Sequence, residues 1–374
     1  MASLKKRTLI ILITEKCNLS CVYCYEHGKT AKSMTFPTAK AILDREFAEE
    51  GWDGYEIQLL GGEPLLNFDL IKKMAEYIFE ICGRTDVRLF IVTNGTVLTP
   101  EMKSWLQARK ERIVCGLSID GIREAHNKSR SNSFDMIDLD FFAKTWPTQV
   151  CRMTLHSSNI EHFAQGVIFL TEQGFNVAAA FAQGGTCWVC DEVFTIFQNE
   201  LIKLREYYIQ HPEKKLVDML DVNFGALAVP MRNRDRRWCG AGGTLSSYDL
   251  SGRRYPCHTF APVSIGKRAE EYVEKTVESL NYRTDEICRD CAFLALCPTC
   301  MGMNISDRGE AGKRDRTMCR MHKARFLAAS QLAFLRRYAN RSDSKLSIDE
   351  FRELTGIAKV QRVFGVEITL PEGI

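Results

Sequence analysis

The chain has 374 residues, of which 26% are charged and 45% are hydrophobic, and its formal net charge is only +3. This length allows a large core and more than one domain, and so small a net charge gives no reason to expect a nucleic-acid partner. No stretch approaches the roughly 20 consecutive apolar residues of a membrane span, so no membrane partner is expected. The chain has fifteen cysteines and no secretory leader, which favours metal binding in a reducing cytoplasm over disulfides.

Residues 8 to about 183 alternate between strand-like and helix-like segments, which predicts βα repeats around a parallel sheet. Apolar runs predict strands at 8–13, 55–60, 87–92, 113–118, 150–155 and 176–182. Helical periodicity covers the segments between them, at 37–50, 68–82, 100–108 and 159–173. The pattern predicts an α/β fold, a partial (β/α)6 barrel of the TIM type with a cysteine-rich C-terminal domain.

Beyond residue 185 the pattern changes. A helical stretch at 191–211 precedes a region rich in Gly, Arg and Cys from 232 to 319, and an amphipathic helix is predicted at 324–338. Ser347 and Glu350 form a capping-box pattern that predicts the start of another helix. We predict four parts: the barrel at 1–183, a bridging region at 184–238, the cysteine-rich domain at 239–322 and a helical tail at 323–374.

Three cysteines follow the first predicted strand with the spacing C-x₃-C-x₂-C, namely Cys17, Cys21 and Cys24. Three thiolates ligate three irons of a [4Fe–4S] cubane and leave the fourth iron open to a reactant. A zinc site is the alternative, but structural zinc sites are closed by four ligands and usually use C-x₂-C pairs. Because the fourth ligand is missing here, the spacing favours an iron–sulfur cluster with an open iron.

The run from Cys17 to Cys24 resembles the signature of the radical S-adenosylmethionine (SAM) enzymes. The resemblance implies that SAM binds the open iron and that one electron from the cluster cleaves it to a 5′-deoxyadenosyl radical, which abstracts a substrate hydrogen. It also implies that Tyr23 lies against the adenine of SAM. A non-catalytic iron–sulfur electron carrier is the alternative class, against which the intact loop, Tyr23 and Glu63 argue.

Other predicted strand ends carry motifs similar to the SAM-binding segments of this family, and ligands bind at the carboxyl ends of barrel strands. The segment 61–64 matches the GGEP motif, in which glycine allows close approach to a ligand and the carboxylate holds the SAM amine. Arg152 lies where related maturases have an arginine that binds the SAM carboxylate, although pairing with a local carboxylate is an equal alternative. The resemblance implies SAM contacts by Gly61, Gly62, Glu63, Pro64, Asn94, Ser118, Asp120 and Arg152.

Seven further cysteines between residues 239 and 319 are ordered as in the SPASM domain, a C-terminal extension of radical SAM enzymes that modify peptides and proteins. The resemblance implies two auxiliary [4Fe–4S] clusters, and therefore three clusters in all. The first would be ligated by Cys239, Cys257 and Cys300, and the second by Cys288, Cys291, Cys297 and Cys319. A zinc ribbon is the alternative, but seven sulfurs fit it poorly.

Five cysteines lie outside these ligand sets. Cys187 or Cys190 is a candidate fourth ligand of the first auxiliary cluster; alternatively the two are a redox pair, a substrate-handling site or buried thiols. Cys82, Cys115 and Cys151 are interpreted as core residues.

The resemblance implies a peptide maturase that installs an oxidative thioether or carbon–carbon crosslink in a ribosomally made precursor peptide. The alternative is an anaerobic sulfatase maturase, which oxidises Cys or Ser to formylglycine. Such maturases have Asp after a Tyr-Pro-Cys run, where this chain has His258, a candidate proton acceptor or equally a structural imidazole. The expected partners are the precursor peptide and an external one-electron donor. Since only sixteen residues precede Cys17, leader recognition is expected from the tail after residue 340, from the bridging region 184–238 or from a separate leader-binding protein.

Overall fold

The computed structural model describes residues 5–184, 188–231, 233–235, 237–339 and 345–366. Its strands are β1 (Lys6–Thr14), β2 (Gly54–Gly61), β3 (Val87–Thr93), β4 (Ile113–Leu117), β5 (Val150–Leu155), β6 (Asn176–Phe181), β7 (Leu245–Tyr248) and β8 (Arg254–Tyr255). The first six coincide with the predicted strands, because each is an apolar run bounded by turn residues.

The parallel strands form an open arc. The main sheet has the order β4-β3-β2-β1-β7-β8, in which all pairs are parallel except β7 with β8. β5 and β6 form a second parallel pair. The two sheets join just beyond β4, where Ser118 bridges to Arg152 and Ile119 donates its N–H to the Arg152 carbonyl at 2.8 Å. This arrangement confirms the predicted α/β fold with a parallel, partial barrel.

The helices are α1 (Phe36–Phe47), α2 (Phe68–Glu76), α3 (Pro100–Gln107), α4 (Arg123–Ser129), α5 (Leu139–Thr145), α6 (Phe163–Glu172), α7 (Asp191–Gln210), α8 (Pro262–Ile265), α9 (Glu286–Arg289), α10 (Met301–Arg308), α11 (Cys319–Arg337) and α12 (Ile348–Val363). Threonine side chains cap α1 and α3 ahead of a proline in the first turn, as helix starts favour. The capping box of Ser347 and Glu350 is present at the start of α12. None of the helices in the described ranges is both long and apolar enough to cross a bilayer.

Sequence analysis missed β7 and β8, which are short and partly polar. β7 extends the barrel sheet by pairing with β1, and buried polar contacts reinforce this junction. Arg7 of β1 forms an ion pair with Glu46 of α1 at 3.1 Å, and the Tyr248 hydroxyl of β7 donates to the same carboxylate. The region after residue 239 therefore packs directly on the first strand of the barrel.

On β3 and β5 one face of the arc is packed and the other is open, whereas β4 and most of β1 are buried on both faces. On β5, Cys151, Met153 and Leu155 are buried, whereas Arg152 between them is exposed and Thr154 is half-buried. This alternation follows from the two-residue period of a strand. Parallel sheets are usually covered on both faces, so the open inner face of the arc leaves room for a ligand.

Candidate active site and cysteine clusters

The residues that follow β1 to β4 meet at the carboxyl edge of the sheet. They are the cysteine loop after β1 and the segments 61–64, 93–95 and 118–121. Backbone bonds join the first two, because Gly62 donates to the Thr14 carbonyl at 3.0 Å and Glu63 to the Lys16 carbonyl at 2.7 Å. The structure thus brings together the motifs that the sequence places at separate strand ends.

Cys17, Cys21 and Cys24 lie in the loop after β1 and are all partly exposed. Burial raises the pKa of Cys17 and of Cys21, and the nearby Cys24 thiolate adds to both rises. Lys29 donates from Nζ to the Cys24 sulfur at 3.2 Å, which places a cation beside the thiols. Nowhere in the described part of the chain do three Cys, His, Asp or Glu side chains converge closely enough for one metal ion. A cubane needs a wider arrangement, because each thiolate binds a different iron.

Gly61 and Gly62 allow the second segment to touch the cysteine loop. A Cβ atom would lie 2.0 Å from the Thr14 carbonyl oxygen at Gly61 and 2.2 Å from the Lys16 carbonyl oxygen at Gly62. Both distances are far inside van der Waals contact. Sequence analysis expected these glycines to allow close approach to a ligand. In the structure they allow close approach to the backbone segment that leads into Cys17.

Glu63 is buried, and both of its carboxylate oxygens accept hydrogen bonds inside the protein. Oε1 accepts from the Leu65 N–H at 3.1 Å and the Thr93 hydroxyl at 2.8 Å, and Oε2 accepts from the Asn94 N–H at 2.7 Å. Burial raises the pKa of Glu63 to about 7, although these bonds oppose the rise. Pro64 is also buried and begins a 3₁₀ turn. The Glu63 carboxylate therefore holds two strand-end segments together, and a direct bond to SAM would compete with these contacts.

Asn94 ties the segment after β3 to the cysteine loop. Its Nδ2 donates to Asn18 Oδ1 at 2.9 Å, and Asn18 Nδ2 donates to the Thr96 hydroxyl at 2.7 Å. Sequence analysis did not single out Asn18, for which the available signal was its place next to Cys17.

Asp120 and Arg130 hold the ring of Tyr23. The Tyr23 hydroxyl donates to Asp120 Oδ2, and Arg130 Nε lies 3.1 Å from the same oxygen, with both side chains of this ion pair buried. The Arg130 guanidinium lies 5.4 Å from the centroid of the Tyr23 ring, within cation–π distance. Asp120 Oδ1 accepts from the Thr154 N–H at 3.0 Å. Sequence analysis missed Arg130, which belongs to no recognisable motif.

Ser118 and Arg152 lie at the junction of the two sheets. Ser118 is half-buried opposite Arg152, and Arg152 is exposed on the open inner face. Arg152 is near enough to His258 to lower its pKa, and near enough to Asp218 to act on it as well. Arg152 therefore lies on the inside of the arc, between the SAM-type segments and the cysteine-rich region.

The cysteines after residue 239 separate into two groups. In the first, burial raises the pKa of Cys300 to about 11, with contributions from the Cys257 and Cys239 thiolates. In the second, burial raises the pKa of Cys288 to about 11, with contributions from Cys319 and Cys297. Cys291 is the last member of the second group, because it raises the pKa of Cys297 and of Cys319. The electrostatic grouping agrees with the two sets that the SPASM resemblance implies, and the assignment of these cysteines as cluster ligands stays a prediction.

Of the other cysteines, Cys115 and Cys151 are buried as predicted. The prediction for Cys82 is wrong: it is exposed, since α2 gives way to a π-helical turn (Tyr77–Ile81) and Cys82 follows that turn at the surface. Cys190 is exposed at the start of α7, and Cys187 lies outside the described residues.

Tyr25, Glu26 and His258 lie between Cys24 and the first cysteine group. His258 Nδ1 is 3.3 Å from the sulfur of Cys257, and its ring centroid is 5.7 Å from that of Tyr25. Burial lowers the pKa of His258 to about 4, and the nearby Glu26 opposes this shift. Burial raises the pKa of Glu26 itself to about 7. At neutral pH the imidazole is uncharged and able to accept a proton, but it is a weak base. Sequence analysis missed Tyr25 and Glu26, because no motif extends beyond Cys24.

Comparison with known proteins agrees with this geometry. Residues 11–137 match the model of the radical SAM superfamily, so the chain carries a radical SAM domain. Among curated proteins, it is 37% identical over 114 residues to an uncharacterized protein of Methanocaldococcus jannaschii, covering 30% of this chain and 38% of that one. It is 35% identical over 129 residues to the Fe-coproporphyrin III synthase of Methanosarcina barkeri, covering 34% of this chain and 30% of that one. The matches thus span about a third of each relative.

Solved structures share the fold over much more of the chain. The structure of anSMEcpe with bound AdoMet and Cp18Cys peptide has a TM-score of 0.66 and 18% identity, covering 88% of this chain and 99% of that chain. Streptococcus suis SuiB bound to precursor peptide SuiA has a TM-score of 0.57 and 17% identity, covering 83% of this chain and 75% of that chain. An anaerobic sulfatase maturase and a crosslinking peptide maturase therefore have folds similar to this one.

Proposed function

We propose that this protein is a radical SAM peptide maturase that removes a hydrogen atom from a ribosomally made precursor peptide and installs an oxidative thioether or carbon–carbon crosslink. The observation that carries the proposal is the position of Cys17, Cys21 and Cys24 beside the Tyr23 ring at the carboxyl edge of an open, partial barrel. These cysteines would hold a [4Fe–4S] cluster, which supplies the electron that cleaves SAM.

The binding of SAM is proposed for the residues around this loop. Tyr23 is held by Asp120 and would lie against the adenine, and Arg152 on the open face would pair with the SAM carboxylate. Glu63 and Asp120 are engaged within the protein, so we assign them to shaping the pocket. The remaining SAM contacts are proposed for Gly61, Gly62, Pro64, Asn94 and Ser118.

The first test is reductive cleavage of SAM by the anaerobically reconstituted protein. We expect 5′-deoxyadenosine with dithionite as reductant, and none from a Cys17→Ala variant. Cys82→Ala is the matched control, since Cys82 is exposed and outside the loop. If the wild-type protein forms no 5′-deoxyadenosine while it holds a cluster, the protein is an electron carrier and the proposal fails.

The peptide reaction has two candidates. Crosslinking is supported by His258 at the position after Tyr255-Pro256-Cys257, and formylglycine formation by the high coverage of the sulfatase maturase fold. Mass spectrometry after co-expression separates them. Loss of two hydrogen atoms per event in a precursor peptide supports crosslinking, whereas formylglycine in a co-expressed sulfatase supports the alternative. If His258 accepts a proton from the peptide substrate, we expect His258→Asn to lower the yield of modified peptide more than the yield of 5′-deoxyadenosine.

Two auxiliary [4Fe–4S] clusters are proposed for the two cysteine groups. They would accept the electron that the substrate radical releases. Their ligand sets are the three cysteines 239, 257 and 300 and the four cysteines 288, 291, 297 and 319, all within the proposed domain 239–322. The proposed setting is a reducing cytoplasm, with an external one-electron donor and a separate leader-binding protein as partners. Iron and sulfide counts of the wild-type protein and of a Cys291→Ala variant test the cluster assignment.

A further inference from the structure

Two arginines from different elements lie near the four-cysteine group, Arg314 in contact with Cys297 and Arg325 within electrostatic range of it. Arg314 lies in the segment before α11, is 5% exposed, and donates from Nη1 to the Cys297 carbonyl at 2.8 Å. Arg325 lies in α11, is partly buried, and donates from Nη1 to the Met219 carbonyl at 3.1 Å. Each therefore has one hydrogen bond to a neutral carbonyl group.

Neither arginine forms an ion pair with a carboxylate in the described part of the chain, although Asp218 lies within electrostatic range of Arg325. Arg314 Nε and Nη2 and Arg325 Nε are buried without an acceptor in hydrogen-bond geometry in the described part of the chain. By contrast, neighbouring arginines of the same region pair with carboxylates, as shown by Arg308, Arg316 and Arg320. Because a buried charge without a counter-charge is costly, an anion is expected beside Arg314 and Arg325.

The hydrogen bond from Arg314 to the Cys297 carbonyl places the four-cysteine group beside this guanidinium, so its thiolates are the proposed anion. Burial would lower the pKa of Arg314, yet the Cys297 thiolate, the Tyr282 hydroxyl and the Cys288 thiolate together raise it. Burial lowers the pKa of Arg325 to about 10, opposed by Cys297 and by Asp218, and at this value the guanidinium stays charged at neutral pH. His322, between the two, has its pKa lowered to about 3 by burial and is uncharged. One guanidinium in contact with the Cys297 backbone and a second within electrostatic range of Cys297 thus lie beside the four cysteines.

We propose that Arg314 and Arg325 are the counter-cations of the second auxiliary cluster and raise its reduction potential, an inference that rests on the proposed function. A [4Fe–4S]²⁺ cube with four thiolates carries a charge of about −2, which becomes about −3 when it takes one electron. Nearby buried cations stabilise the more negative state, because their attraction is weakly screened there. The cluster is thereby suited to accept the electron that a substrate radical loses and to pass it to a one-electron carrier.

The test is a redox titration, followed by electron paramagnetic resonance, of the full-length reconstituted protein in a Cys17→Ala background that removes the signal of the first cluster. Arg314→Gln and Arg325→Gln are each expected to shift the potential of one auxiliary cluster downward. Arg316→Gln is the matched control, since its side chain is 60% exposed and solvent screens its charge. Arg314→Lys keeps the charge and is expected to stay near the parent potential.

Iron and sulfide counts accompany every titration and separate the possible results. Unchanged potentials in both glutamine variants, with full iron content, overturn the inference and leave the proposed function intact. Loss of the cluster in Arg314→Gln but not in Arg314→Lys supports it, and loss in both variants overturns it, because charge would then not be the deciding property. A parent protein without auxiliary iron overturns the auxiliary-cluster part of the proposed function itself.

Discussion

Two buried carboxylates, Glu63 and Asp120, hold the candidate SAM site in place. Glu63 accepts three hydrogen bonds, from the Leu65 and Asn94 N–H groups and the Thr93 hydroxyl. Asp120 accepts two, from the Tyr23 hydroxyl of the cysteine loop and the Thr154 N–H of β5, and it forms an ion pair with Arg130, which follows α4. Such buried, fully bonded acceptors fix their donors tightly, and removing one leaves several groups unsatisfied at once.

Asp120→Asn is expected to lower both stability and SAM affinity. The neutral amide leaves Arg130 buried without its anion, and it is a poorer acceptor for the Tyr23 hydroxyl. Breaking a buried ion pair in this way costs about 3–5 kcal/mol in the free energy of unfolding. Denaturant unfolding and calorimetric titration with SAM measure the two effects. The control is Asp138→Asn, whose carboxylate is 43% exposed, with an expected cost below about 1 kcal/mol; equal losses in both variants would contradict the assignment.

Glu63→Gln is expected to destabilise the protein by about 1–3 kcal/mol, because the amide presents a donor where an acceptor is needed. Either the Asn94 N–H, or the Leu65 N–H together with the Thr93 hydroxyl, then faces an NH₂ group. Denaturant unfolding of matched, reconstituted samples measures this change. Glu101→Gln serves as control, since that carboxylate is 80% exposed. An unfolding midpoint equal to that of the wild type would show that the three bonds are dispensable.

Among the elements, the cysteine loop leaves the end of β1 and returns to it. A hydrogen bond of 2.9 Å from the Met34 N–H to the Ile13 carbonyl joins its two ends. Gly61 and Gly62 pack against its first residues. The position of the thiols therefore depends on contact between two backbone segments as well as on the cysteine spacing.

Gly62→Ala is expected to displace the loop, because the new Cβ would lie 2.2 Å from the Lys16 carbonyl oxygen. The loop then presents its thiols in the wrong positions, and the iron content falls by about four atoms per chain. Gly116→Ala in β4 is the matched control, with a nearest contact of 3.8 Å that is an ordinary van der Waals distance. Iron analysis and the yield of 5′-deoxyadenosine measure the effect. Full iron content in Gly62→Ala would show that the cysteine loop does not require glycine at this position.

At the scale of the whole molecule, the barrel and the cysteine-rich region share a sheet through β1 and β7. Glu46 is completely buried at this junction and receives Arg7 from one side and Tyr248 from the other. A chain joined by a common sheet and a buried ionic contact is expected to unfold its two parts together.

Glu46→Gln tests that coupling. We expect the free energy of unfolding to fall by at most about 3–5 kcal/mol, because Arg7 loses its close ion pair and keeps only the longer, 3.7 Å contact with the partly exposed Glu49. Fluorescence and the visible absorbance of the clusters should still lose signal at one common denaturant concentration, lower than in the wild type. The exposed Asp44→Asn change on the same helix is the control. Two well-separated transitions in the wild-type protein would rule out a coupled unit.

The amino-acid sequence by itself determined the six parallel strands, the cysteine spacing and the glycine-rich motif, because strand periodicity and ligand spacing are local properties of a chain. It did not reveal Arg130, Glu26, Arg314 or β7, whose roles depend on contacts between residues far apart in the sequence. The chain's local pattern also assigned Cys82 to the core, whereas the turn after α2 leaves it at the surface. Only the tertiary structure decided that the Glu63 carboxylate is engaged inside the protein and that two arginines without an ion pair lie near four cysteines. Both depend on burial and charge pairing, which arise only when segments distant in the sequence come into contact.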